Sequence, residues 1–478
     1  MGTHDSGKHQ DVFEQSYTEG VTRALPPPPP RRRRGLNLRT LGDMVPQMAP
    51  VGAIALQGCV LTPERAIENG FVIIGEDRTI LSVQEKAPQG ARIHRTQGVI
   101  LPGLIDLHGH PEYNVFAPWE PPQAYDNRYQ WRTSDIYNKL IRDPQVLLRK
   151  TIPGVAARYA EVRALVGGVT AIQGASANYP DPGESLVRNV DLNIFGHSRA
   201  RSQVDLPSAD RPGSAETFKA IVNGIQAREV DAFYLHLAEG RPSDERSWRE
   251  FDQLVELGGL TSSTVIIHGT ALSREHFGRM REAGAKLVWS PQSNLRLYNE
   301  TTRVKDALEL GLPVAIGADW MPSGSTSLLA ELRVARRALA QQGLEIAPQQ
   351  LVRMVTSDAA RIAGLDSKLG SLEAGRPADL IVLERRHADA WENVVQADPS
   401  WVDLVMIDGD LSYGRVDWLE SLAGPGARER LEYVIAWGKE MLLDTSHSVY
   451  GTNTPAPTLS KLRADLIGQY PQLGPIFI

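Results

Sequence analysis

The chain has 478 residues, 42% of them hydrophobic and 23% charged, with a formal net charge of −6. That length suits one large α/β barrel plus a smaller module; the charge balance gives no basic footprint for nucleic acid, and no apolar run approaches the roughly 20 residues that span a bilayer. A single cysteine, Cys59, excludes an intramolecular disulfide, and without an apolar signal core near the start the expected compartment is the cytoplasm.

Residues 1–49 are polar and proline-punctuated. The run "PPPPPRRRR", Pro26 to Arg34, predicts an extended polyproline stretch followed by mutually repelling charges, so this segment is expected to be a disordered tail. The opening "MGTHDS" fits the short N-myristoylation pattern but has no amphipathic helix or clean basic patch beside it, and is read as an unmodified tail.

From Val51 the pattern turns to short β-like pieces: "GAIALQGCVLT", "GFVIIGED", "TILSVQE" and "RIHRTQGVILPG", separated by Gly, Pro and charged turns. A matching set, "GSLEAGRPADLIVLER" and "VDLVMIDGDLSYG", lies near the far end. Neither set is large enough to bury itself. Residues 50–101 and 366–416 are therefore expected to pair into a small β-sandwich whose two halves flank residues 102–365.

That middle alternates strand-like and helix-like runs: "YAEVRALVGG" then "VTAIQGAS", "FYLHLAEG" then "SWREFDQLVELGG", "STVIIHGT" then "EHFGRMREAGA", "KLVWSPQSN" then "RVKDALELG", and finally "LPVAIGADW". The order strand, loop, helix, strand marks parallel βα units and predicts an α/β fold of the TIM-like (β/α)8 barrel type. Between about 185 and 225 the strands are blurred, and "LVRNVDLNIFGHS" is the best candidate. After Gly414, "LESLAGPGARERLEYVIAWGKEMLLD" is read as helical, which makes 417–478 a C-terminal helical segment and tail.

In such a barrel the reactive residues come from the C-terminal ends of the strands and the loops beyond. His108 and His110 stand there, on one face of the stretch "GVILPGLIDLHGH" with Asp106 two residues earlier; so do His236 with Glu239, His268 and Asp319. The anchors His236, His268, Ser290 and Asp319 are 32, 22 and 29 residues apart, each interval the length of one βα repeat. On "PVAIGADW" the small residues Ala315 and Gly317 share a face with Asp319 and leave room below its carboxylate. Neutral imidazoles and a carboxylate converging on one rim suit Zn²⁺ or Fe²⁺ with a position open for water. Asp319 would ligate and take the water's proton, Glu239 would carry it to a leaving nitrogen, and His268 would ligate or polarise the substrate. His276, His4, His9 and His94 lie in bland surroundings, whereas His197 sits near a candidate strand end.

These segments together resemble the amidohydrolase superfamily, in its composite-barrel branch with cytosine, guanine and adenosine-type deaminases and triazine hydrolases. The resemblance runs from about Val51 to Gly414 through "PGLIDLHGH", "HLAEG", "IIHGTAL", "SPQSNLRL", "IGADW" and "GSLEAGRPADLIVL". It implies metal ligation by His108, His110, His236 and Asp319, a ligating or substrate-orienting His268, and Glu239 as proton shuttle. Binuclear relatives bridge two ions through a modified lysine or a glutamate on the fourth strand; here the lysines between Pro111 and Leu235 are Lys139, Lys150 and Lys219, all in helix-like surroundings. One divalent ion is expected, zinc or alternatively iron.

The loop "PEYNVFAPWEPPQAYDNRYQWR" leaves the first ligand strand directly, so Tyr113, Trp119, Arg128 and Trp131 are candidates to line a substrate pocket, with packing of a long loop as the equal alternative. Gln292, Ser293 and Asn294 are candidates to touch substrate, Asn294 alternatively pinning its loop, and "YNETTRV" lacks the glycine common in deaminases at that place. The expected activity is hydrolysis of a C–N bond by metal-activated water, with deamination of a heterocyclic amine or amidine ahead of cleavage of an amide in a peptide-like or other natural product, as in bottromycin-type pathways. A non-enzymatic structural or signalling barrel would be expected to have lost its ligands, which this chain keeps. The expected partners are a small-molecule or peptide-like substrate, with no nucleic acid and no membrane, and a homo-oligomer is compatible with the C-terminal segment.

Overall fold

The computed structural model describes residues 52–174, 185–192, 194–195, 199–418, 422, 429–446 and 457–473. The expectations for the 1–49 tail and for His197 fall outside these residues.

Four strands come first: β1 (Ile54–Leu61), β2 (Ala66–Ile74), β3 (Ile80–Gln84) and β4 (Arg92–Pro102). β1 pairs antiparallel with β2 and parallel with β4. β5 (Leu104–Asp106) begins directly after β4 and opens a run of parallel strands. With β6 (Val169–Ile172) and β7 (Arg188–Asn189) it forms one sheet; β8 (Ala200–Gln203), β9 (Ala232–Leu237), β10 (Thr264–His268), β11 (Lys286–Trp289) and β12 (Val314–Ile316) form another, with neighbours in chain order. Just past the ends of β5 and β12, Gly109 and Asp319 make a parallel bridge, so the first and last of these strands meet.

Period-two alternation sorts their side chains onto two buried faces. Ile105, Tyr234, Val265, Ile267, Val288 and Ala315 fill one apolar cluster with Ala359, Ala360 and Ile362 of the helix Ser357–Ile362. Phe233, Leu235, Ile266, Leu287 and Ile316 face the other way, into the larger core shared with the surrounding helices. Those helices, among them Val155–Val166, Ser214–Gln226, Glu245–Glu256 and Arg274–Ala283, alternate with the strands as the sequence predicts. β7 falls within the blurred "LVRNVDLNIFGHS" segment, while β8, whose residues Ala200, Arg201, Ser202 and Gln203 carry no apolar run, had no sequence signal.

After the helices come β13 (Leu380–Leu383), β14 (Val402–Ile407), β15 (Asp410–Arg415), β16 (Leu431–Ala436) and β17 (Lys439–Asp444). They join β1–β4 in one nine-stranded sheet of order β16-β17-β15-β14-β13-β4-β1-β2-β3. The flanking segments pair as expected, through β13 against β4, in one hydrogen-bonded strand order, and residues of β1–β4 and β13–β15 share one apolar cluster. One correction follows. The segment read as helical contributes the β16–β17 hairpin: Tyr433 and Ile435 face outward while Val434 and Ala436 are buried, a period of two, and Trp437 and Gly438, at φ 49° and 76°, close a two-residue turn. A helix, Leu459–Gln469, appears only afterwards. Among the described residues no helix is long and apolar enough to cross a membrane.

Candidate metal centre

The ends of β5, β9, β10 and β12 bring His108, His110, His236, His268 and Asp319 together, all buried. His108 Nε2 lies 3.0 Å from His236 Nε2 and 3.3 Å from Asp319 Oδ1; His110 Nε2 lies 3.2 Å from His236 Nε2 and 3.5 Å from Asp319 Oδ1. Two ligand atoms at about 2.0–2.1 Å from one tetrahedral zinc would stand about 3.3 Å apart, close to each of these four spacings; the sets whose ligand atoms all lie within 4.8 Å of one another are His108, His110 and His236, and His108, His268 and Asp319. Asp319 Oδ1 has no hydrogen-bond donor and faces only the imidazole nitrogens, and His236 Nδ1 also has no partner among the described residues. Buried lone pairs crowded at these distances are costly unless a proton or a cation answers them.

Electrostatics agrees. Burial, reinforced by the neighbouring imidazoles, holds His108 and His236 well below the ordinary histidine range, and burial with His268 and Arg132 pulls His110 down to about 3. The imidazoles are therefore neutral, as ligation requires. Burial pushes the Asp319 carboxyl well up. Nearby, burial raises Asp106 to about 7 against two backbone donors, the N–H groups of His108 and Ala318, with which it ties together the ends of β5 and β12.

The backbone is bent to make this arrangement. Asp319 N donates to His108 O at 2.8 Å and His110 N to Asp319 O at 3.2 Å. Gly317 sits so close to β5 that a β-carbon there would be 2.5 Å from His108 Cβ, which explains the small residue below the carboxylate. Ala238, His268 and Asp319 take φ of 53°, 68° and 62°, a left-handed region that L residues rarely enter and that clusters at functional strand ends.

The segment that follows β11 fixes the orientation of the site. Ser290 Oγ lies 2.6 Å from His108 Nδ1, Asn294 Oδ1 2.9 Å from His268 Nδ1, and Tyr298 OH donates to Glu239 Oε1 at 2.6 Å. These three residues are four apart, on one side of the helix Pro291–Tyr298 and the residue before it. The Asn294 amide nitrogen donates to Thr302 Oγ1 at 3.2 Å, which turns its oxygen toward His268 and places the imidazole proton on Nδ1. His268 Nε2 is then an acceptor, 3.7 Å from Glu239 Oε2.

The residues expected to meet substrate fare differently. A cavity of about 20 Å³ lies at the cluster, lined among others by Trp131, Arg132, Glu239 and Trp320. Arg128 also borders it, but Nε donates to Asp205 Oδ1 at 3.0 Å, Nη1 to Glu250 Oε2 at 3.1 Å and Nη2 to Tyr129 OH at 3.2 Å, so its donors serve a buried ion-pair network. Asn294 orients His268, as described above. Trp119 stands behind the cavity, packed on Tyr125, Trp131 and Tyr137, and Tyr113 packs edge-on to Trp320 with ring centroids 5.2 Å apart. Packing within the aromatic loop accounts for Trp119, and packing of that loop on Trp320 for Tyr113. Tyr298, Trp320 and Arg132 had no role in the sequence reading, and Ser290 entered it only as a strand-end anchor; the four-residue spacing of Ser290, Asn294 and Tyr298 was the available signal. A second cavity of about 970 Å³ is lined by Arg211, Arg246, Glu245 and Asp252 among others and has the lining residue Arg132 in common with the small one.

Residues 209–411 match the model of the Amidohydrolase family. The 5-methylthioadenosine/S-adenosylhomocysteine deaminase of Moorella thermoacetica is 25% identical over 412 residues, 76% of this chain and 95% of its own. Among solved structures, an adenosine deaminase from Xanthomonas campestris with bound zinc superposes with a TM-score of 0.63 at 17% identity, covering 90% of this chain and 100% of that one. A guanine deaminase from Bradyrhizobium japonicum gives a TM-score of 0.59 at 16% identity, covering 76% and 99%.

Proposed function

Because this chain belongs to the amidohydrolase superfamily, we propose that it is a metal-dependent hydrolase of carbon–nitrogen bonds that displaces ammonia from an amino-substituted heterocycle. The observation that carries this reading is the gathering of buried donor atoms at one rim, with His108 and His110 each 3.0 to 3.5 Å from both His236 Nε2 and Asp319 Oδ1, and Glu239 on the same small cavity. The two parallel sheets are read as the halves of one eight-stranded barrel, supported by their chain order, the Gly109–Asp319 bridge and the apolar cluster they share.

In this reading His108, His110, His236 and Asp319 hold one ion, with His268 Nε2 as a further ligand or as acceptor from substrate. Zinc is the choice that suits three imidazoles and a carboxylate, and the adenosine deaminase with a similar fold holds zinc. Such an ion supplies the Lewis acidity that makes a water nucleophilic near neutral pH. As the water oxygen bonds to the ring carbon, the C=N π pair would shift onto the ring nitrogen and Asp319 would accept the water's proton. Glu239 Oε2 would carry that proton to the amino nitrogen, the pair on the ring nitrogen would re-form C=N, and the exocyclic carbon–nitrogen bond would break with its electrons on the departing ammonia. Aromatic Trp131 and Trp320 exclude bulk water from the site.

The 970 Å³ cavity favours a second reading, cleavage of an amide in a larger peptide-like substrate reaching out past Arg132. One experiment separates the two: the zinc-loaded protein is offered aminated heterocycles, including 5-methylthioadenosine, and N-acyl and peptide amides, with ammonia and free amine measured in parallel. Ammonia from a heterocycle supports deamination; amine release from an amide without ammonia replaces it with the second reading.

A further inference from the structure

Glu239 is held by more than its own backbone. Its Oε1 accepts from Tyr298 OH at 2.6 Å and has no other donor among the described residues. Tyr298 OH in turn lies 2.9 Å from Trp131 Nε1. An indole N–H only donates, so it occupies the acceptor side of the phenol and leaves the phenol hydrogen for Glu239; the chain Trp131 to Tyr298 to Glu239 therefore runs in one direction. All three residues are buried.

We propose that Tyr298 is a positioning residue: its hydroxyl, oriented by Trp131, ties up Oε1 of Glu239 and leaves Oε2 as the one oxygen that exchanges protons with substrate. The inference rests on Glu239 being the proton carrier of the proposed reaction. Oε2 is the oxygen nearer the histidines, 3.7 Å from His268 Nε2, and the surrounding cavity of about 20 Å³ gives a freed carboxylate room to turn. Burial and the adjacent carboxylate push the Tyr298 hydroxyl well above the usual tyrosine range, so it stays a donor through the working pH range. The grip comes from the same helix that orients His108 through Ser290 and His268 through Asn294, so proton carrier and imidazoles are set against one rigid body.

The test compares zinc-loaded full-length wild type, Tyr298→Phe, Trp131→Phe, the double variant and Glu239→Gln on the panel compound with the fastest product release. Tyr298→Phe is expected to keep metal content and leave KM within about twofold while kcat falls about 10- to 100-fold, the scale of a misplaced catalytic group. Trp131→Phe, which keeps an aromatic ring in the cavity wall, is expected to lower kcat in the wild-type background and to cost clearly less in the Tyr298→Phe background, because the lost indole N–H acts through the hydroxyl. In crystals of Tyr298→Phe, Glu239 should occupy more than one rotamer where wild type shows one, a readout that requires no substrate. An unchanged kcat in Tyr298→Phe, an equal cost of Trp131→Phe in both backgrounds, or a single unchanged Glu239 rotamer would each overturn the proposal. Full turnover by Glu239→Gln would instead overturn the role of Glu239 itself.

Discussion

Gly317 and His108 approach so closely that the glycine has no room for a side chain: an added β-carbon would lie 2.5 Å from His108 Cβ and 2.8 Å from His108 N. Gly317→Ala must push the β5 end away from the β12 end and move His108 from its place beside Asp319. The expected result is a stability loss of about 1–3 kcal/mol, the usual cost of overpacking, together with less bound metal per chain. Thermal unfolding with and without added zinc, and metal analysis of the undialysed protein, check both; unchanged metal content would detach Gly317 from the site.

His110→Ala and Glu239→Gln should separate ligation from proton transfer. The first removes a donor and is expected to abolish metal binding and turnover together. The second keeps every ligand, so metal content should be that of wild type while turnover drops about 10²- to 10⁴-fold, the range for a general acid–base group. Elemental analysis beside the ammonia assay reads both.

Asn294→Ala frees His268 to rotate and to choose its tautomer. Loss of such a supporting partner is expected to reduce metal affinity or activity by about 10- to 100-fold, with little change in melting temperature. A competition titration against a chelator measures it, and wild-type affinity with wild-type activity would argue that the 2.9 Å Asn294–His268 contact is dispensable.

Arg128→Met tests whether this side chain is structural. It would leave Asp205 and Glu250 buried beside each other with fewer cations, at an expected cost of about 3–5 kcal/mol. Burial alone would raise Asp205, but Arg132 and Arg128 outweigh it and hold the carboxyl well below its usual range. A depressed folded value means that the stabilisation is full above the unfolded pKa of about 3.9 and is lost as pH falls through the folded one. Denaturant melts at pH 7 and pH 3 should accordingly show the gap between wild type and variant narrowing in acid. A raised KM with unchanged stability would restore Arg128 to the substrate site.

Cys59 should be inert. Burial, with Glu68 beside it, pushes the thiol up to about 11. At pH 8 about one part in a thousand is then thiolate, and reactivity should rise about tenfold per pH unit. A disulfide reagent should label the unfolded chain in seconds and the native protein far more slowly; equal rates would show Cys59 to be open to solvent.

The candidate ligands were legible because the chemistry restricts their type: few reasons place His108, His110, His236, His268 and Asp319 at successive strand ends. Ser290 and Tyr298 were not, because a hydroxyl says nothing of its role until the helix Pro291–Tyr298 gives it a direction. The two readings of Arg128, pocket lining and loop packing, stayed level in the sequence because its partners Asp205 and Glu250 lie 77 and 122 residues away. The β16–β17 hairpin was missed because "LEYVIAWGKEMLL" also places Leu431, Val434 and Ile435 at helical spacing, and its Trp437–Gly438 turn lacks the Asn or Asp that usually announces one.

At Ala238, His268 and Asp319 the chain endures φ values of 53°, 68° and 62° that glycine would accept without penalty. Each detour costs of order 1 kcal/mol, so the sequence is not the hardiest one for its own architecture. Selection for heat resistance alone would erode these corners first, and variants that survive boiling best would include some that have forgotten their chemistry.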